Sequence, residues 1–127
     1  MIGTLVLALA MAAQAAPEPI AITPEQFASA IQGMVGQSYE GGANIARIYA
    51  EGQIVVVVLD GPAGWRASAT AARAPAHFIG SFCEDRDFEY FVHGNAMRID
   101  TTEAGAAGRP GPVIRACPPP APGAHPQ

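Results

Sequence analysis

Apolar and polar residues follow different rhythms along this chain, and each rhythm predicts an element. Residues 2–13 have no polar face: the segment runs Ile2-Gly3-Thr4-Leu5-Val6-Leu7-Ala8-Leu9-Ala10-Met11-Ala12-Ala13. Ala13-Gln14-Ala15 places small residues where a signal peptidase reads them, and Pro17-Glu18-Pro19 breaks any helix. An apolar core followed by a small-x-small site is the anatomy of a secretory signal peptide. The run is too short to span a bilayer as a helix, which takes about 20 apolar residues. Residues 1–15 are therefore expected to be a leader cleaved near Ala15. The mature chain is then periplasmic or secreted, with no stable membrane anchor after cleavage.

Helical spacing comes next. Thr23 fits an N-cap, Pro24 the first helical position, and Gln26 the closing residue of a capping box. Phe27, Ala30, Ile31, Met34 and Val35 then share one face, and Gly36 suits the helix end. Residues 37–42 read as a loop. Residues 44–50 read as a strand, Glu51-Gly52 as a tight turn, and Ile54-Val55-Val56-Val57-Val58-Leu59 as the strongest strand of the chain. A continuous β-branched run indicates burial on both faces and a central position.

Asp60-Gly61-Pro62-Ala63-Gly64 is a turn, and the Ala-rich stretch 65–73 is expected to be helical. Pro75 is expected to end that helix and open another turn over 76–82, because an interior proline removes a hydrogen bond. Residues 86–93 read as a helix capped by Asp85, ending at Gly94, with Phe88, Phe91 and Val92 on its apolar face. The rival is a hairpin with Gly94-Asn95 as its turn and residues 88–93 as its first strand. Met97 to Thr101 is a strand, 102–112 a Gly-rich loop, and 113–117 a short last strand. The Pro-rich tail 118–127 has little to bury and is expected to be extended and disordered.

These elements predict a single α+β domain over residues 16–117. It has an N-terminal helix and an antiparallel sheet of about four strands, with helices packed on one face. At about 110 mature residues such a domain buries only some two-thirds of its unfolded surface. Cross-linking therefore matters. Cys83 and Cys117 are the 2 cysteines. An even count in an exported chain favours a disulfide between them, worth about 3–4 kcal/mol by loop-closure arithmetic.

Charge narrows the partners. The 7 basic residues are all arginine, spread singly among 11 acids, for a net charge of −4. Nucleic-acid binding needs clustered positive charge, so it is not expected.

Candidate chemistry is sparse. Cys83 with His77 and His93 would make a thiol nucleophile pair only if the thiol were free. The spacing of His77, Cys83, Asp85 and His93 matches no zinc pattern. Glu84, Asp85, Asp87 and Glu89 form an acidic cluster that lacks the alternate oxygens and turn glycine of a calcium loop, and it reads as a charged helix start. The serines have no nucleophile-elbow context, and the Gly-rich stretch 105–111 lacks the lysine and hydroxyl of a phosphate loop. No cofactor or metal is expected. Trp65, after Gly61-Pro62-Ala63-Gly64, is the one candidate surface contact, although a core position is the commoner fate of tryptophan.

Residues 45–60, with their strand, Ala-Glu-Gly turn and strand, resemble part of a group of small exported bacterial α+β proteins without a settled activity. In that group a helix, a Cys-x-Asp, an apolar helix, a glycine and a strand follow. Here those elements match Cys83, Asp85, Phe88-Phe91-Val92, Gly94 and Arg98. The resemblance implies the α+β layout and the helix reading of 86–93. Without a recognisable catalytic spacing, the expected role is a non-catalytic envelope module with an envelope protein partner. The alternatives are a small periplasmic hydrolase or thiol enzyme using Cys83 or the acidic cluster, and a carrier of a small apolar ligand.

Overall fold

The first helix, α1 (Pro24–Ala30), starts with a complete capping box: the Gln26 amide donates to Thr23 Oγ1 at 3.1 Å and the Thr23 amide donates to Gln26 Oε1 at 2.9 Å. The predicted helix to Gly36 is cut short at Ile31, and a 3-10 turn over Gln32–Met34 carries the chain on. Gln32 explains the change. Its amide group donates to the Ala28 carbonyl (3.2 Å) and to the Ile48 carbonyl (2.6 Å), tying the turn to the sheet edge. Phe27 and Ala28 are buried, whereas Val35 is left exposed. The computed structural model describes residues 22–83, 88–104 and 106–118. The expected leader, Glu84, Asp85 and Asp87 of the acidic cluster, and the tail beyond Pro118 lie outside the described residues.

The sheet contains β1 (Ser38–Tyr39), β2 (Ala43–Glu51), β3 (Ile54–Gly61), β4 (Ala96–Glu103), β5 (Ala106–Arg109) and β6 (Val113–Ile114). Their order is β1-β2-β3-β4-β5, with β6 pairing on the β5 side of β4. This corrects the expected antiparallel sheet of about four strands: it has six, and the central pair β3–β4 is parallel, with Val57 opposite Ile99. Parallel pairing follows from what lies between the two strands. Helices, not a tight turn, connect Gly61 to Ala96, and such a crossover returns the chain in the same direction.

Both unexpected strands fall in predicted loops. β5 is Ala106-Ala107-Gly108-Arg109, exposed at every position, so it has no hydrophobic rhythm to read. Its strand geometry comes from the β4 edge, where it supplies hydrogen-bond partners. Between β5 and β6 the chain passes so near the Ile99 carbonyl that a side chain at Gly111 would collide with it.

In the crossover, residues Trp65–Ala67 form a 3-10 turn, and α2 then runs over Ala69–Gly80 with Ser68 as its N-cap. Pro75 lies inside α2, contrary to the expected break. An interior proline costs roughly 3 kcal/mol. Burial of Ala71, Ala74, Phe78 and Ile79 on one face offsets it, since each large apolar side chain contributes about 1.5–3 kcal/mol. The helix reading of the next segment holds over the hairpin, but α3 is a single turn, Glu89–Val92, with Phe88 as its N-cap.

The helices pack on one face of the sheet. Their core joins Phe27, Phe78, Ile79 and Tyr90 to Ile45, Ile48, Val55, Val57, Leu59, Met97 and Ile99. Val56 and Val58 point to the opposite face, yet are 0% and 8% exposed. Their neighbours in register roof them: Tyr49 and Arg98 flank Val56, and Arg47 and Asp100 flank Val58. Arg98 lies across that surface, donating twice to Asp100 (2.8 and 2.9 Å) and reaching Glu51 at 3.5 Å. These bonds, above all those to Asp100, hold its guanidinium pKa well above the ordinary arginine value. Arg47 stands 4.7 Å over the Tyr49 ring.

Trp65 is 3% exposed and fills a core position, which corrects its expectation as a surface contact. Its ring lies against Gly61, and its indole N–H donates to the Glu40 carbonyl at 3.2 Å. A Cβ at Gly61 would sit 2.5 Å from that ring. Gly61→Ala should therefore destabilise by about 1–3 kcal/mol in urea unfolding, as overpacking does. Gly80→Ala, where a Cβ meets nothing within 4 Å, should be neutral or slightly stabilising.

Candidate functional site

The 5 phenylalanines of the chain are far apart in sequence, yet the fold joins them in one chain of ring contacts. α1 contributes Phe27 from its buried face, and α2 contributes Phe78, with Phe82 one turn later. The segment around α3 contributes Phe88, Tyr90 and Phe91. Phe27 stacks on Tyr90 (centroids 4.8 Å) and meets Phe82 and Phe88 edge-on (5.4 Å each). Phe82 and Phe88 stack at 5.6 Å with planes 12° apart. Phe88 and Phe91 stand perpendicular, 80° apart with centroids at 5.1 Å. Such pairs add about 0.5–1.5 kcal/mol beyond burial.

Burial across this group is graded. Tyr90, Phe78 and Phe27 belong to the core, whereas Phe82, Phe88 and Phe91 are only partly buried. Val92 of α3 is 69% exposed, the most exposed of the large apolar side chains among the described residues. The outer rings form an aromatic ledge at one end of the molecule. Sequence reading placed Phe88, Phe91 and Val92 on one helical face but did not assemble the ledge, because Phe27 and Phe82 come from other elements.

The Cys83–Cys117 disulfide closes beside the ledge, with Cα atoms 5.8 Å apart. It ties the segment after β6 to the end of α2, immediately after Phe82. This removes the nucleophile from the expected Cys83 thiol alternative, because neither cysteine is free. The expected histidine partners are engaged elsewhere. His77 Nδ1 is 3.0 Å from the Tyr39 hydroxyl and 4.0 Å from Glu40. His93 pairs with Glu89 at 3.2 Å. Among the described residues, no three His, Cys, Asp or Glu side chains are grouped to hold a metal ion.

Next to α3, a shallow groove of about 260 Å³ is lined by Ile22, Pro24, Gln53, His93 and Asn95, among others. Asn95 is buried and donates to the Ile22 carbonyl at 2.7 Å, fixing the start of α1 against the start of β4. Beneath it, the Tyr90 hydroxyl donates to the Ala96 carbonyl at 2.7 Å. Burial is the main cause that pushes the Tyr90 pKa up to about 12. Tyr39 is also raised, by burial and then by Glu40. The helix–sheet interface itself is filled by Leu59, Ile79, Tyr90, Met97 and Ile99, so the groove lies at its rim and not between the layers.

No protein-family model matches the chain, and no curated protein sequence matches it. Its fold is similar to a solved structure, the pilotin EpsS from the Vibrio vulnificus type 2 secretion system. The TM-score is 0.58 at 16% sequence identity, and the match covers 76% of this chain and 90% of the pilotin. At that identity the likeness is one of fold. Among the described residues, no helix is long and apolar enough to cross a membrane.

Two measurements probe this end of the molecule. Replacing Cys83 and Cys117 together by serine should lower the unfolding free energy by about 3–4 kcal/mol in urea, the value expected for a loop of this length. Alkaline titration should show Tyr90 ionising near pH 12. Its folded pKa lies above the unfolded value of 10.0, so its contribution to stability is complete below pH 10 and is lost as pH rises through 12. Tyr90→Phe should flatten that part of the stability profile.

Proposed function

We propose that this chain is a non-catalytic bacterial envelope module that docks on another envelope protein, as an accessory to a secretion apparatus. The observation that carries this reading is the fold likeness to a type 2 secretion pilotin along 90% of that protein's length. The disulfide supports it, because paired cysteines persist in oxidising compartments such as the periplasm. The aromatic ledge supplies the surface: Val92 and the half-buried Phe91 present apolar area beside polar Glu89 and His93. Buried aromatic anchors with a polar rim are the usual energetic centre of a protein interface. In this reading residues 1–15 direct export and are removed.

The test is site-specific photo-crosslinking from position 92 in intact cells. A discrete adduct with an envelope protein is expected, from a chain whose N-terminal sequence begins at Ala16 or within about two residues of it. Substituting His77, His93 or Glu89 singly by alanine should leave the phenotype of the protein mostly intact. Loss of that phenotype in one of these variants, with the protein folded and exported at normal levels, would favour an enzyme instead.

A further inference from the structure

We infer that the Cys83–Cys117 disulfide is a redox latch on β6: when it is reduced, β6 leaves the edge of β4 while the rest of the domain stays folded. The inference rests on how unequally the two ends of the bond are held.

The Cys83 end is anchored without the sulfur. The Phe82 amide donates to the Ile79 carbonyl and the Cys83 amide to the Gly80 carbonyl, both at 3.0 Å, so the turn that ends α2 fixes this residue by itself. The Phe82 ring adds contacts to Phe27, Phe78 and Phe88. The Cys117 end has no such support. Among the described residues, no hydrogen bond outside the sheet holds residues 115–117, and Arg115 and Ala116 are exposed.

β6 is a weak strand to leave untethered. It is two residues long, with Met97 opposite Ile114 and Arg98 opposite Val113, whereas strands usually run about five or six. Pro112 before it has no N–H to add to the ladder. Its apolar hold is one side chain: Ile114 packs on the core, but Val113 is 43% exposed. The disulfide keeps so short a pair closed by raising its effective concentration, through a tether that begins just beyond Ile114. The body has no comparable need. Leu59, Ile79, Tyr90 and Ile99 are enclosed by the helices and by β2, β3 and β4.

Both cysteines are only partly buried, so the bond lies at the surface and not in the core. The reaction is thiol–disulfide exchange with a dithiol reductant. Its thiolate attacks one sulfur and forms a mixed disulfide, and its second thiol then displaces that sulfur. The reductant leaves as a disulfide, and two electrons and two protons convert Cys83 and Cys117 to thiols. Opening takes β6 off a strand whose Met97 and Ile99 are 0% and 1% exposed. A bared edge of this kind is a template for an extended segment of another chain. The redox state thus sets whether β4 is closed by β6 or open to pairing. The inference stands apart from the docking reading, because latch opening is measured on the isolated protein.

The experiment is solution NMR of the mature chain, residues 16–127, oxidised and then reduced with dithiothreitol. The oxidised chain should show cross-strand contacts from Met97 to Ile114 and from Arg98 to Val113. On reduction these should vanish, and the amide order parameters of residues 113–116 should fall below about 0.6. Contacts between Ile48 and Val57 across β2 and β3, and the fluorescence of buried Trp65, should stay as they were. The double variant Cys83→Ser, Cys117→Ser should match the reduced chain with no reductant present. Contacts between β4 and β6 that persist in the reduced chain or in the variant would overturn the inference. So would loss of the β2–β3 contacts together with those of β6, since the bond would then be a staple for the whole domain.

Discussion

The parallel pairing of β3 with β4 is the constraint from which the rest of the arrangement follows. β3 is buried from Val55 to Leu59 and therefore needs a partner on each side. β2 reaches it through a tight turn, but β4 can run parallel to it only after a crossover. That crossover carries α2 and α3 and must lie over one face, since the sheet has a single helical layer. The ends of α2 and the whole of α3 thus come to rest where Phe27 waits on α1. The aromatic cluster is a consequence of closing the crossover, and its outer rings remain half exposed because no further element covers them among the described residues.

A sheet with helices on one side only must solve the problem of its second face. Here the solution is made of side chains. Arg98, held by Asp100 and Glu51, stands beside Val56 in register, and Arg47, laid on Tyr49, stands beside Val58. The Arg98–Asp100 pair is mostly buried, with side chains 16% and 13% exposed. Its value lies in fixing the roof geometry as well as in net attraction, since desolvation cancels much of the gain of such pairs. The two faces thereby take different roles: one is sealed by a bonded charged layer, and the other ends in an apolar ledge.

Much of this was legible in the sequence. The capping box at Thr23, the β-branched run of β3 and the Cys83–Cys117 pairing rest on local chemistry or on parity, and local chemistry survives folding. What escaped was non-local. β5 has no apolar alternation and exists because β4 offers an edge. Pro75 stays helical because Phe78 and Ile79 are buried behind it. Trp65 is buried because Gly61, and Gly41 from a different turn, leave space for its ring. The ledge needed Phe27, Phe82 and Phe88 from separate elements, which no window along the chain could join.

The ledge also explains why titratable groups tell so little about this protein. His77 and His93 are bound to neighbours on their own side of the surface, and the one reactive sulfur pair is spent in the cross-link. The partly buried rings Phe82, Phe88 and Phe91 lie together next to the segment that the disulfide fixes. For a small domain, that coincidence is economical. The bond that restricts the unfolded chain is also placed directly after Phe82, one of the clustered rings. A partner engaging the ledge would meet a rigid, preformed surface, with the entropy of ordering it already met by folding.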